Sequence, residues 1–168
     1  MSVHLRFDTL NIIYDFIDMA TTSLQNAKIR LIELEGYTDS PVFTMSRKIV
    51  EFLERERNQD KLTVSGLRVA LGEARKNDNA LIEAAFVLTV HPFEVLDVEY
   101  RLYNDTFTEL LEVIDKREYA QALTEGEFYF EGELIEIDQF QSRVFPIFRN
   151  KFSDSYNVIA CDGVASKI

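Results

Sequence analysis

Phe93-Glu94-Val95-Leu96-Asp97-Val98-Glu99-Tyr100-Arg101-Leu102-Tyr103 is the stretch on which the fold turns. Two periods run through it. Val98, Tyr100 and Leu102 alternate as in a half-buried strand, whereas Phe93, Leu96 and Tyr100 recur at the three- and four-residue steps of a helix face. The helical reading is preferred. It makes the chain mainly α: a multi-helix, bundle-like single domain over residues 1–168, with a small β-hairpin near the C-terminus. The alternative class is α+β.

Downstream, Thr106 and Glu109 carry a capping-box spacing. The spacing predicts a helix through Phe107, Leu110, Leu111 and Ile114, running toward Leu123. From Gly126 the texture changes. Phe128 and Phe130 alternate with Glu127, Tyr129 and Glu131, Glu131-Gly132 offers a turn, and Leu134, Ile135 and Ile137 follow. This is the expected hairpin, although Leu134, Ile137, Gln141, Val144 and Phe148 also fit a helix face. Residues 139–152 read as a helix bent or split at Pro146. The tail keeps one apolar patch, Val158-Ile159-Ala160.

Upstream, Ala80 to Val90 is apolar almost all round, the mark of a central buried helix. Asn77-Asp78-Asn79 caps it and His91-Pro92 ends it. Thr63 or Ser65 caps a short helix through Leu67, Ala70, Leu71 and Ala74. Ser40-Pro41 opens another, with the proline in its first turn. Before it, a long amphipathic helix runs from an Asp8 cap to Gly36, with Leu10, Ile13, Ile17, Ala20, Leu24, Ala27 and Leu31 on one face. Thr21-Thr22-Ser23 is a point where it can divide.

Composition narrows the function. The 168 residues include 13 Phe, 7 Tyr and no Trp, enough bulk for one core. One cysteine, Cys161, excludes an intrachain disulfide framework. Met1 to Leu10 lacks the apolar run of a signal peptide, and the apolar segments are too short to span a bilayer. The expected compartment is the cytoplasm. A net charge of -11 disfavours nucleic acid and anionic membranes as partners.

Catalytic and metal-binding patterns are missing. His4 and His91 are the two histidines, and no HExxH, CxxC or EF-hand loop occurs. Neither a metal nor a cofactor is expected. Cys161 reads as a small core hydrophobe, and His91 as a residue that closes the buried helix. Lys61, Arg68 and Arg75 stand at heptad spacing, with Lys76 beside them. On a helix over 61–76 they could touch phosphates, which makes a transcription-related DNA-binding regulator the second reading.

Charge is unevenly distributed. Residues 1–84 carry 11 basic and 13 acidic side chains, and residues 85–168 carry 7 basic and 16 acidic. Glu125, Glu127, Glu131, Glu133, Glu136 and Asp138 have no basic residue among them, and Phe128, Tyr129 and Phe130 lie in their midst. Acids around an aromatic anchor suit docking onto a basic protein. The expected function is therefore a stoichiometric inhibitor of the immunity or antitoxin type, not an enzyme. It would occlude a basic, nuclease-like partner through those acids and Tyr129.

Overall fold

The structure is a computed structural model that describes residues 5–153, with side chains from residue 18 onward. In chain order its elements are α1 (Leu5–Tyr37), α2 (Pro41–Arg55), β1 (Lys61–Leu62), α3 (Val64–Leu71), α4 (Asp78–Val87), β2 (Leu96–Tyr103), β3 (Leu110–Ile114), α5 (Lys116–Glu125), β4 (Glu127–Phe130), β5 (Glu133–Glu136), α6 (Ile137–Arg143) and β6 (Val144–Asn150). A 3-10 turn, Arg75–Asn77, leads into α4.

Within the stretch at 93–103, Leu96–Tyr103 is a strand and no part is a helix, and this overturns the mainly α reading. The fold is α+β, with a four-stranded antiparallel sheet in the order β1-β6-β2-β3 and the separate β4-β5 hairpin. The period of two wins because both faces of β2 find suitable company. Leu96, Val98 and Leu102 are buried on one side. On the other, Asp97 meets Lys116 at 2.7 Å, and Glu99 meets Arg101 and Arg149 at 3.2 and 3.3 Å.

Two more expected helices are corrected with it. Residues 106–109 belong to the loop between β2 and β3, where the Asn104 side chain accepts from Thr108 N. The working capping box lies further on. Asp115 accepts from the backbone of Arg117 and Glu118, and Glu118 returns a bond to the Asp115 N–H, so the helix starts at Lys116. Residues 139–152 split at Arg143 into α6 and β6.

Hydrogen-bond parity explains how Pro146 sits inside a strand. Asn150 N donates to Asp60 O, toward β1, and Lys151 N donates to Val95 O, toward β2. Even-numbered residues of β6 therefore face β1 and odd-numbered ones face β2. The N–H that Pro146 lacks falls on the β1 side, where β1 pairs only Arg149 and Phe148, so no ladder bond is lost.

The helical segments upstream follow the sequence more closely. α1 runs unbroken through Thr21-Thr22-Ser23, and Asp8 lies within it rather than at its cap. Ser40 caps α2 with Pro41 in the first turn, and Thr63 caps α3, which ends on left-handed Gly72. α4 stops at Val87, three residues short of expectation. Its cap is not made by Asn77, whose side chain donates to Glu73 instead. His91 closes no helix: its side chain is 87% exposed. Cys161, His4 and the 158–160 patch lie outside the described residues.

Two hydrophobic clusters share one face of the sheet. The larger joins α1–α4 to Leu62, Leu96, Val98 and Phe148. Within it, Leu81, Ala84 and Ala85 of α4 are fully buried, and the Ser46 hydroxyl of α2 donates to Ala84 O. The smaller joins Leu102, Ile114 and Val144 to Ala122, Ile135 and Phe140. Tyr100 touches both clusters and stacks on Tyr119 at 3.9 Å. That burial, together with the neighbouring Tyr119, pushes its phenol above the usual tyrosine value.

Candidate protein-docking site

The acidic stretch folds as the expected hairpin. α5 ends at Gly126, whose φ of 79° turns the chain directly into β4. Glu131 and Gly132, with φ of 50° and 85°, form a two-residue turn of the kind that matches strand twist. The turn fixes the register: Glu127 faces Glu136, Phe128 faces Ile135, Tyr129 faces Leu134 and Phe130 faces Glu133.

Alternation then sorts the side chains. Phe128, Phe130 and Ile135 point into the smaller cluster, and Phe128 stacks on Phe140 at 4.6 Å. Glu127, Tyr129, Leu134 and Glu136 share the outer face. Tyr129 is 59% exposed and Leu134 51% exposed, an apolar pair next to the Glu127–Glu136 pair on that face. A hollow of about 180 Å³ lies beside it, lined by Glu118, Gln121, Glu125, Glu127 and Tyr129.

Of the residues singled out in the sequence, Glu125, Glu127 and Tyr129 meet at this hollow, and Glu136 joins them across the strand pair. Glu131 occupies the turn, Glu133 alternates onto the other face of the hairpin, and Asp138 lies in the first turn of α6. Leu134 was missed. The register found it, since a two-residue turn at 131–132 places 134 opposite 129.

Local electrostatics oppose two of these placements. Glu127 and Glu136 are like charges directly across an antiparallel pair, which is destabilising. Glu125 occupies the last turn of α5, where the helix dipole favours a cation. Among the described residues, its carboxylate is steadied by the Gln121 amide alone, at 2.7 Å. Among the described residues, no ion pair involves Glu125, Glu127, Glu131, Glu133, Glu136 or Asp138. The pairs formed by acids elsewhere, such as Glu35–Arg47 and Glu73–Lys48, show that bases are spent on other surfaces.

The basic residues of 61–76 do not line one helix. Lys61 is in β1, α3 spans only Val64–Leu71, and Arg75 and Lys76 follow in the 3-10 turn. Arg68 is engaged by Asp78 at 2.6 Å. Among the described residues, no group of three or more His, Cys, Asp or Glu side chains is arranged to hold a metal ion, and no helix is long and apolar enough to cross a membrane. Compared with protein-family models, with curated proteins and with solved structures, the chain finds no match.

Proposed function

We propose that the protein is a stoichiometric binding protein of the immunity or antitoxin type, which docks the outer face of its β4-β5 hairpin onto a basic, nuclease-like partner. The carrying observation is the exposed Tyr129–Leu134 pair with Glu127 and Glu136 in the neighbouring row of the same face, two carboxylates opposed to each other and making no ion pair among the described residues. A lysine or arginine from a partner would relieve that repulsion, and the ring would anchor the contact. The reading places the protein in the cytoplasm, in keeping with its single cysteine.

The test is kinetic. A partner captured on the immobilised protein from its native host is purified, and association is followed as salt rises. Steering screened over about 8–10 Å should fade at physiological ionic strength and above. Reversal of Glu127 and Glu136 to lysine should slow association, and Tyr129→Ala should speed dissociation. Kinetics indifferent to salt and to all three changes would discard the hairpin reading.

A further inference from the structure

A seven-residue repeat runs along α1. Apolar residues recur at alternating steps of three and four, at 10, 13, 17, 20, 24, 27, 31 and 34, the seam positions of a helix that pairs with another helix. In the second half of α1 the pairing is made within the chain. Leu24, Ala27 and Leu31 are buried in the larger cluster with Met45, Ile49 and Leu53 of α2. Charged residues flank that part of the seam and find partners: Lys28 meets Glu54 at 3.1 Å, and Glu35 meets Arg47 at 2.9 Å.

α2 is too short to continue the pairing. It has 15 residues against the 33 of α1, and the short link at 38–40 starts the two helices side by side. Contacts then step back along α1 as they step forward along α2. Glu35 meets Arg47, Lys28 and Gln25 meet Glu54, and just beyond α2 Thr21 meets Arg57 at 3.0 Å. Past Arg57 the chain turns to the sheet, where Asp60 O accepts from Asn150 N. The α1 backbone carries on as helix from residue 20 back to Leu5, about 24 Å at 1.5 Å per residue. Leu10, Ile13 and Ile17 hold the seam positions of that projecting half. Its flanks differ from those beside α2: Phe7, Thr9, Tyr14, Phe16, Thr21 and Ser23 are all uncharged, and Asp8, Asp15 and Asp18 fall on the opposite side of the repeat.

We infer that the projecting half of α1 pairs with the same half of a second copy, so that the protein is a dimer joined through Leu10, Ile13 and Ile17. Two observations select that occupant. The first is continuity: the seam extends one that α1 already forms with α2, so its complement is another helix carrying the same repeat. The second is charge. Copies of a chain with net charge -11 repel each other. Flanks without acids let two copies meet there with no like charges across the seam. A charged partner helix would find no opposite charge at those positions to select it. The pairing uses no residue of the hairpin face and holds whether or not that face binds a basic partner.

Sedimentation of the 168-residue chain over rising concentration should show a monomer–dimer equilibrium. It should tighten as salt is added, because screening removes repulsion and the seam has no flanking ion pairs to lose. Ile13→Asp combined with Ile17→Asp should raise the concentration of half-dimerisation by about tenfold or more, since each places a carboxylate in the seam. That variant should still melt cooperatively. Leu10→Asp, further from α2, should act in the same direction and serves if the double change unfolds the chain. Ile29→Asp, on the exposed back of α1, should leave the equilibrium unchanged. Four results would overturn the inference. A wild-type monomer whose melting temperature falls in I13D/I17D would assign the stripe to a contact within the chain. A wild-type monomer indifferent to those changes would leave the stripe without a self-partner. A dimer that I13D/I17D and L10D both leave intact would place the interface elsewhere. A dimer that salt dissolves would make charge its cause.

Discussion

Glu131 holds a backbone angle that asparagine accepts more readily, and it does so at the tip of the candidate docking hairpin. Glu131→Asn should therefore raise stability by about 0.5–1 kcal/mol in a denaturant melt, while slowing association with a basic partner by removing a charge. A loss of stability would mean that the carboxylate makes a contact that outweighs the strain. Phe86 is the opposite case. Its ring meets Phe148 edge-on at 5.1 Å, between α4 and the sheet. Phe86→Ala should cost about 3 kcal/mol, read in the same melt. A near-neutral result would show that α4 grips the sheet without it.

Among the elements, the join between α2 and the turn before α4 depends on one acid. Glu73 accepts from Lys48 at 2.6 Å and from Asn77 at 2.7 Å. The Lys48 bond chiefly, then the Asn77 bond, holds its carboxyl below the ordinary carboxylate value. A depressed folded value stabilises the protein above the ordinary value, and that contribution is lost as pH falls through the folded one. Glu73→Gln should therefore flatten part of the acid limb of a stability-versus-pH curve, and an unchanged limb would show the clamp to be idle. The sequence announced the elements whose signals are local. Ser40-Pro41, Thr63 and the Glu131-Gly132 turn act through neighbours within a few residues, and each took its expected role. It concealed the elements that depend on distant partners. β2 shows both periods, and only the companions of Glu99 and Asp97, brought from 149 and 116, decide between them. Pro146 looks like a helix breaker until β1 proves too short to need its N–H. The docking face was half legible for the same reason: the acids and Tyr129 are consecutive in sequence, but Leu134 joins them only through the register. A cleft of about 430 Å³ beside the start of α3 gave no signal at all, because its walls come from Thr63 to Ser65, from Tyr103 and Phe107, and from Phe145 to Ile147.

Across the whole molecule, one guanidinium ties the two halves of the sheet together. Arg149 is nearly buried and forks onto Asp60, at 3.0 and 2.8 Å, with Glu99 at 3.3 Å. Burial alone would lower its pKa, but the bonds to Asp60 and Glu99 outweigh that and hold it above the usual arginine value. Removing one partner of a mostly buried pair leaves the other charge stranded, so Asp60→Ala should cost about 3 kcal/mol or more, measured by chemical denaturation. A cost under about 0.5 kcal/mol, the range of ordinary surface changes, would show that the guanidinium stays satisfied without Asp60.

Among the described residues, the last strand in sequence is also an inner strand of the sheet. β6 lies between β1 and β2, and its bond from Arg149 to Asp60 spans 89 residues. A ribosome making this chain releases α1–α4 long before the strand that backs them exists. Until residues 144–150 emerge, β1 has nothing to pair with, one edge of β2 is bare, and the apolar side chains meant for Phe148 face water. Assembly of the sheet must wait for those residues, and the long loop it closes makes that step slow. A nascent chain stalled before Val144 should therefore be cut readily by protease within 61–103 and engage chaperones there, and emergence of residues 144–150 should bring protection of β1 and β2 in a single event.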